Sequence, residues 1–359
     1  MNWKISVAVI VCLLLAVTAG YVFTGSLKSG QAELTIYTYE SLFTYAPNVT
    51  AVNQTVFGAF EHQYNVKIKV VRFDGTQDML AQLAQQKSNP QADLVIGLTN
   101  VEAQKAVSEG ILQNYTPPNL KYVPAYLVKD LQPQHYLVPY EFSPITVDYC
   151  NISGGVGSNM SFQTLQQPSY AEHLVLENPL TDSTGLSFLL YEITFYSYVA
   201  HENWQQWWVN TEKYSKIVPS WDYAFSVFPN SGYDFAVSYG TDPAYFATFG
   251  GYRGCGTSAL HYSGNSYVWL EIEGMGIVAG ASHVKLAEEF ENWFLGQTVQ
   301  SVIPTSEWMF PANSDIQLPS VYRYAVGTND SIILNNYLTP SQLASNLSNW
   351  LSEWQTLSG

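Results

Sequence analysis

The aromatic residues of one stretch, residues 221–245, could form walls of a small-molecule pocket. The stretch reads WDYAFSVFPNSGYDFAVSYGTDPAY and contains a strand-like core at residues 234–239. Aromatic side chains in strands often serve packing alone, so about half of these rings are expected in a core. Trp221, Tyr239 and Tyr245 lie at predicted strand ends or in the Gly-Thr-Asp-Pro turn, where ligand-contacting side chains of α/β proteins concentrate. We predict that these three rings contact a ligand.

The charge of the chain favours a cationic ligand and argues against a nucleic-acid partner. The chain has 14 Lys and Arg residues against 29 Asp and Glu residues, a formal net charge of -15. Binding to nucleic acid requires basic patches that neutralise phosphates, whereas an acidic protein attracts cations. Glu40 directly follows a predicted strand, at a position where a first loop meets a ligand.

The elements that must position these residues alternate between strand and helix, which predicts an α/β fold with a mainly parallel sheet. Residues 33–39 and 66–72 alternate as strands, and residues 93–97 form an apolar strand. Helical patterns occupy residues 52–64 and 77–86. A chain of 359 residues exceeds the size of one hydrophobic core, which stops growing near roughly 250–300 residues. We therefore predict two lobes.

Two extended segments are predicted to cross between the lobes. The first is the pair at residues 136–140 and 145–149, and the second is residues 267–273. A helix at residues 339–357 is predicted to close the chain by packing on the first lobe. The predicted domains are an N-terminal segment and linker (1–32), lobe 1 (33–140), lobe 2 (141–266), and the second part of lobe 1 with C-terminal helices (267–359).

The N-terminus predicts export from the cytoplasm. One lysine, Lys4, precedes an uncharged run at residues 5–23, which is either a signal peptide or an uncleaved membrane anchor. We favour the anchor, a hydrophobic helix through which the protein contacts the membrane. Asn-X-Ser/Thr triplets are typical of a glycosylated surface protein. They begin at Asn48, Asn53, Asn114, Asn151, Asn159, Asn329 and Asn346.

Two of the three cysteines, Cys150 and Cys255, are candidates for a disulfide. In an oxidising compartment such a pair often forms a bond, but sequence alone does not bring two cysteines together. Two free thiols remain the alternative. The third, Cys12, lies in the apolar N-terminal run.

Five groups of motifs make the chain resemble the thiamine-binding subunits of ABC transporters. They occur in the order seen in that family and extend over about residues 33–356. The motifs are YTYES at 37–41, ADLVIGL at 92–98, NPLT at 178–181 with GL at 185–186, SY at 238–239 with PAY at 243–245, and IPT at 303–305 with WM at 308–309. The closing WLSEW at 350–354 is similar as well.

The resemblance implies a type II periplasmic-binding-protein fold, in which two α/β lobes joined by crossover strands close on the ligand. It further implies capture of thiamine and its delivery to a transporter permease. Four aromatic positions match the family site, namely Trp221, Tyr239, Tyr245 and Trp308, and Glu40 matches an acidic one. Aromatic faces suit the cationic thiazolium and flat aminopyrimidine of thiamine through cation-π and stacking contacts.

Two positions depart from the family pattern. Thr99 stands where the family has an aspartate, so an anionic contact becomes a neutral hydrogen-bonding group. Asp182 stands where a phosphate-contacting hydroxyl is expected, with Ser183 beside it. If Asp182 points inward, it should disfavour thiamine phosphates; if it points outward, Ser183 and the following helix could still bind a phosphate.

Other ligands and an enzymatic function are the alternatives. Thiaminases of the first type share this fold and use a cysteine nucleophile, for which Cys150 is the candidate. Ferric-ion binding proteins use clustered tyrosines, for which Tyr239 and Tyr245 are candidates. No two of the six histidines have metal-ligand spacing on one helix, and the sequence lacks a Walker lysine motif and a dinucleotide glycine fingerprint. We predict a binding protein without a cofactor.

Overall fold

A computed structural model describes residues 31–151, 159–249 and 254–358. The predicted signal peptide or membrane anchor, at residues 5–23, lies outside these ranges. Among the helices within them, none has both the length and the apolar character needed to cross a lipid bilayer.

Strands of the described residues build one continuous sheet with short additions at its margins. The strands are β1 (Glu33–Tyr39), β2 (Lys67–Phe73), β3 (Leu94–Thr99), β4 (Leu112–Gln113), β5 (Val138–Tyr149), β6 (Leu174–Glu177), β7 (Lys216–Val218), β8 (Phe235–Tyr239), β9 (Gly256–Ser258), β10 (Leu260–Tyr262), β11 (Asn265–Val278), β12 (Phe310–Pro311) and β13 (Ile332–Ile333). Hydrogen-bonded neighbours follow the order β2-β1-β3-β11-β5-β8-β6-β7.

Helices cover the sheet and carry several residues of the site. The α-helices are α1 (Val49–Asn53), α2 (Ala59–Tyr64), α3 (Thr76–Gln85), α4 (Ala103–Ser108), α5 (Ala125–Leu131), α6 (Phe162–Leu165), α7 (Pro168–Ala171), α8 (Ser183–Phe195), α9 (Gln205–Thr211), α10 (Trp221–Val227), α11 (Asp242–Thr248), α12 (Val284–Phe294), α13 (Gln297–Gln300), α14 (Ile303–Ser306) and α15 (Pro340–Leu357). A π-helical turn joins α1 to α2 (Gln54–Gly58), and another extends α8 (Tyr196–Ala200). Turns of 3-10 helix occupy Pro118–Tyr122, Ser320–Tyr324 and Leu334–Tyr337.

Strand direction divides the sheet into two parallel parts separated by an antiparallel centre. At one end β1 pairs in parallel with β2 and β3, and at the other β6 pairs in parallel with β7 and β8. Between them β11 is antiparallel to both β3 and β5, and β5 is antiparallel to β8. The predicted parallel pairing therefore holds at the two ends of the sheet, and the crossover strands run against it.

The two long strands β5 and β11 pass through two separate hydrophobic cores. One core collects buried side chains mainly from residues 34–140 and 270–312, the other mainly from residues 145–269 and 334–354. In β5, Tyr140 belongs to the first core and Val147 to the second; in β11, Ile272 belongs to the first and Trp269 to the second. This is the two-lobed α/β architecture with two crossover strands that the sequence predicted. The extended pair predicted at residues 136–149 is one unbroken strand, β5.

The C-terminal helix packs differently from the prediction. Leu343 and Trp354 of α15 belong to the second core, and the Trp354 ring meets Trp208 edge-on at 5.6 Å between centroids. Apolar residues recur along α15 at helical spacing and form one face, which must pack against other apolar side chains. In the second lobe, Trp208 of α9 is one of these partners. The helix thus packs mainly on the second lobe and also contacts α4 of the first lobe, on which it was predicted to pack.

Candidate ligand-binding site

A cavity opens between the two cores, lined by residues of both. It contains about 790 Å³ of space between atoms, a figure that includes its opening to solvent. Its aromatic lining consists of Tyr39, Tyr45, Trp221, Phe225, Tyr239, Tyr245 and Trp308. Its carboxyl lining consists of Asp74, Glu141, Asp182, Asp222, Asp242, Glu273 and Glu307. Within the described part of the chain, no lysine, arginine or histidine lines this cavity.

The second lobe contributes what we call the aromatic wall, formed by Trp221, Phe225, Tyr239 and Tyr245. Trp221 stacks on Phe225 with 4.8 Å between ring centroids and 18° between planes. Phe225 in turn meets Tyr245 edge-on at 5.5 Å, and Tyr239 lies 6.0 Å from Trp221. Each ring therefore fixes the position of its neighbour.

Of the three rings predicted at strand ends or in a turn, those of Trp221 and Tyr245 lie on helices instead. Ser220 caps α10 by accepting a hydrogen bond from the Tyr223 amide at 3.3 Å, so Trp221 is the first residue of that helix. Pro243 lies in the first turn of α11, where its fixed φ suits a helix start, and Tyr245 follows on the same helix. Tyr239 ends strand β8 as predicted.

Two carboxylates anchor Trp221 at its backbone and at its indole ring. The Trp221 amide donates to Asp182 Oδ2 at 2.9 Å. The indole Nε1 donates to Ser238 Oγ at 2.9 Å, and the Ser238 hydroxyl donates in turn to Asp242. Because both ends of the residue are held, the ring presents a preorganised face to the cavity.

Tyr45 and Trp308 close the aromatic wall from the other side. The Tyr45 ring meets Trp221 edge-on at 5.3 Å, and its hydroxyl donates to Asp222 Oδ1 at 3.0 Å. Trp308 meets Tyr245 edge-on at 5.3 Å, and its Nε1 donates to the Tyr45 carbonyl at 3.1 Å. Residues of the segment after β1 and of the segment after α14 thus complete the wall.

The first lobe contributes what we call the carboxyl wall, formed by Glu141, Glu273 and Glu307 with Tyr39 and Tyr140. Glu141 and Glu273 are directly paired across β5 and β11. The Tyr39 hydroxyl lies 2.9 Å from Glu307 Oε2 and 3.3 Å from Glu141 Oε1, and the Tyr140 hydroxyl donates to Glu273 Oε2 at 2.6 Å. Glu141 Oε2 is buried and has no hydrogen-bond partner among the described residues.

Burial and mutual repulsion make the carboxyl wall hold protons. Burial, together with the nearby carboxyls of Glu307 and Glu102, raises the pKa of Glu273 to about 8. Burial also raises the pKa of Glu307 to about 8, and it raises the pKa of Glu141 well above its usual range, with Glu273 and Glu307 adding to the shift. A cation entering the cavity would favour the ionised carboxylates and displace these protons.

Six of the eight predicted site residues line this one cavity, and two do not. The six are Asp182, Ser183, Trp221, Tyr239, Tyr245 and Trp308. Glu40 is exposed in the turn after β1, where its carbonyl accepts a hydrogen bond from Arg72 at 2.7 Å. Thr99 is fully buried at the end of β3, and both its amide and its hydroxyl bond to Glu102. The structure places both outside the lining because β1 presents Tyr39 to the cavity and β3 ends against Glu102.

Sequence reasoning missed the carboxyl wall and Tyr45. One signal was available: Glu271 and Glu273 interrupt the otherwise apolar run YVWLEIEGM, and a charged residue in a buried strand calls for a functional or structural partner. Glu141 stands between the predicted extended segments 136–140 and 145–149, and Glu307 stands between the motifs at 303–305 and 308–309. Nothing in their spacing indicated that the three carboxyls would meet.

The cysteine that a thiaminase-like mechanism would require is not available as a nucleophile. Cys150 is fully buried and forms a disulfide with Cys255. A disulfide sulfur carries no thiolate, which is the nucleophilic form of cysteine. The structure thus selects the disulfide from the two possibilities left open by the sequence.

A metal site of the usual ligands is not found in residues 31–151, 159–249 and 254–358, where no three His, Cys, Asp or Glu side chains are arranged to hold an ion. The tyrosines considered for ferric iron have other roles. The Tyr239 hydroxyl donates to Glu271 Oε1 at 2.8 Å, and Tyr245 packs its ring between Trp308 and Phe249.

Comparison with known proteins supports the resemblance seen in the sequence. The chain is 26% identical over 326 residues to the thiamine-binding periplasmic protein of Salmonella typhimurium, an alignment that covers 90% of this chain and 92% of the relative. No protein-family profile matches the chain.

Solved structures show the fold. A periplasmic thiamin binding protein superposes with a TM-score of 0.77 at 22% identity, covering 92% of this chain and 98% of that one. The apo ferric ion-binding protein A of Pasteurella haemolytica superposes with a TM-score of 0.70 at 12% identity, covering 90% and 97% of the two chains. The fold is therefore the two-lobed α/β fold of periplasmic binding proteins, and these relatives are named as binding proteins rather than enzymes.

Proposed function

We propose that this protein is an extracytoplasmic solute-binding protein that captures thiamine between its two lobes. The observation that carries the proposal is the pairing of an aromatic wall with a carboxyl wall around one cavity. Aromatic faces attract organic cations by cation-π contacts worth about 0.5–2 kcal/mol each, and buried carboxylates balance the charge. Thiamine combines a cationic ring with a flat aminopyrimidine, so it suits both walls.

The unpartnered oxygen of the carboxyl wall gives the ligand a specific contact. Glu141 lines the cavity, and its buried Oε2 has no hydrogen-bond partner among the described residues. A buried polar atom without a partner is costly, so a cationic ligand that ionises Glu141 and supplies an N–H to this oxygen gains binding free energy there. The amino group of the aminopyrimidine is such a donor. A bare metal ion has no N–H group to donate to Glu141 Oε2. The stacked rings of the aromatic wall also favour an organic cation over ferric iron.

We further propose that the bound protein delivers its ligand to the permease of an ABC transporter by closing about β5 and β11. These strands pass from one hydrophobic core to the other, so a change in their twist moves one lobe against the other. Ligand contacts from both walls would stabilise the closed state. An extracytoplasmic location agrees with the periplasmic relatives and with the Cys150–Cys255 disulfide. Anchoring of the N-terminal segment in the membrane remains a proposal.

Calorimetric titration of the purified full-length chain with thiamine tests the proposal. The neutral half of the ligand, its hydroxymethyl aminopyrimidine, is the matched control for the cationic ring. We expect saturable binding of thiamine with micromolar affinity or better, at least tenfold weaker binding of the neutral half, and recovery of intact thiamine from the mixture. An absence of thiamine binding, or cleavage of thiamine, would refute the proposal.

A further inference from the structure

The helix α8 begins at the cavity, at a place that ordinarily suits an anion. Ser183 and Thr184, its first residues, line the cavity, and the helix extends for 13 residues. The first backbone N–H groups of a helix lack partners within it and carry a partial positive charge. A phosphate group commonly binds at such an end.

In this chain the side chain of Asp182 already occupies that end of α8. Its Oδ1 accepts from the Gly185 amide at 3.1 Å, and its Oδ2 accepts from the Trp221 amide at 2.9 Å. The Asp182 side chain is thus shared between the start of α8 and the start of α10, and the residue is only 7% exposed. Donors that a phosphate would use are held by a carboxylate that belongs to the protein.

The surroundings of Asp182 supply further acidic groups and no compensating base. Asp222 acts on Asp182 electrostatically, and Asp182 in turn acts on Glu102, Glu177 and Glu271. All of these groups are carboxyls, and the lining of the cavity in the described residues contains no basic side chain. A phosphate dianion placed beside Asp182 would meet repulsion in a poorly solvated site, where like charges interact most strongly.

We propose that Asp182 makes this site selective for the unphosphorylated cation, so that the protein takes up thiamine and rejects its phosphate esters. The inference rests on the proposed function and deepens it by naming the form of the ligand. Asp182 acts twice, by filling the anion position of α8 and by holding Trp221 through the same carboxylate. One side chain therefore both disfavours a phosphate at α8 and positions a ring of the aromatic wall.

Titration of the full-length chain with thiamine, thiamine monophosphate and thiamine diphosphate tests this proposal. We expect the wild-type protein to bind thiamine at least tenfold more tightly than the monophosphate, and the diphosphate more weakly still. In Asp182→Ser and Asp182→Asn, the ratio of thiamine affinity to monophosphate affinity should fall at least tenfold. Both replacements retain an oxygen that can cap a helix, so α8 keeps its start.

Controls separate this inference from the function on which it rests. Asp315→Asn removes the same charge from an exposed position far along the chain and should leave the ratio unchanged. Thermal unfolding of each variant verifies that it is folded, and if Asp182→Ser fails to fold, the ratio in Asp182→Asn decides. Equal wild-type affinity for thiamine and its monophosphate, or an unchanged ratio in the folded variants, overturns the role of Asp182 and leaves thiamine binding intact. Binding of none of the three compounds overturns both.

Discussion

The two walls of the cavity differ in how the chain builds them. The aromatic wall comes from 25 consecutive positions, residues 221–245, in which β8 is flanked by α10 and α11. The carboxyl wall comes from four distant places: the end of β1, the middle of β5, the middle of β11 and the residue after α14. Residues that are close in sequence can be predicted from the sequence to share a wall. Residues that are distant in sequence come together only when the sheet forms, so local sequence does not predict their contact.

The walls also differ in how they respond to pH. Stacked rings attract a cation through their π faces and do not titrate in the physiological range. The carboxyl wall holds protons because burial raises the pKa of Glu273 and Glu307 to about 8. The aromatic wall should therefore set the strength of binding, and the carboxyl wall its dependence on pH. Each of the following predictions tests this division.

The largest effect is expected for Trp221→Ala. It removes a ring that stacks on Phe225 and faces the cavity, so both the cation-π contact and apolar contact area are lost. A loss of about 2–3 kcal/mol corresponds to roughly 30- to 150-fold weaker thiamine binding. Calorimetry at one pH measures it.

The control for this variant lies two residues along the same helix. Tyr223 is 44% exposed on α10, so Tyr223→Ala should leave thiamine affinity within about twofold. Trp221→Phe retains an aromatic face and should recover much of the lost affinity. Unchanged binding in Trp221→Ala would remove this ring from the site and with it the proposed role of the aromatic wall.

The next effect is a rise of thiamine affinity with pH, set by the carboxyl wall. Because a cation favours ionised carboxylates, binding lowers their pKa and releases protons. Affinity should therefore increase as pH rises from about 6 to about 8, by at most tenfold per pH unit for each proton released, and level off above the free-state pKa of about 8. Titration in two buffers of different ionisation enthalpy measures the protons directly.

Glu273→Gln sharpens this test because it keeps the shape of the side chain and removes its charge. We expect affinity about tenfold weaker at pH 8, fewer protons released and a flatter pH profile. Trp221→Phe changes the aromatic wall instead, so it should lower thiamine affinity by the same factor at every pH and leave the slope of affinity against pH unchanged. Equal slopes in wild type and Glu273→Gln would mean that the pH dependence arises elsewhere.

The limits of sequence prediction follow from the same contrast. Periodicity predicted β1, β2 and α3 closely because each depends on local alternation or helical spacing. It misplaced Trp221 and Tyr245 at strand ends and in a turn because a short helix of seven residues carries too few periods to be recognised. It missed Glu141 and Glu307 because their encounter depends on sheet register and on the path after α14, neither of which local pattern encodes.

Glu40 and Thr99 show the opposite difference between sequence and structure. The family resemblance predicts both as ligand contacts, and for Glu40 the position after a predicted strand adds to the prediction. In the structure Tyr39, one residue earlier, faces the cavity, while Glu40 points to solvent and Thr99 satisfies Glu102. A shift of one residue at a strand end reverses which side chain faces a site, because successive strand side chains alternate.

The smallest effect is expected where the two walls touch, in Tyr45→Phe. The Tyr45 hydroxyl donates to Asp222 on α10, and the ring packs edge-on against Trp221, so this side chain joins the segment after β1 to the second lobe.

The Tyr45→Phe substitution removes the hydroxyl and keeps the ring. A hydrogen bond at a partly exposed carboxyl contributes about 1 kcal/mol, or about fivefold in an equilibrium. If the contact stabilises the closed state, thiamine should dissociate about fivefold faster, measured by stopped-flow tryptophan fluorescence. Tyr223→Phe removes a tyrosine hydroxyl from the exposed residue that follows Asp222 in the sequence, and it should leave the dissociation rate unchanged. Equal rates for wild type and Tyr45→Phe would mean that the walls are held together by ring packing and ligand alone, and that this hydrogen bond contributes nothing to closure.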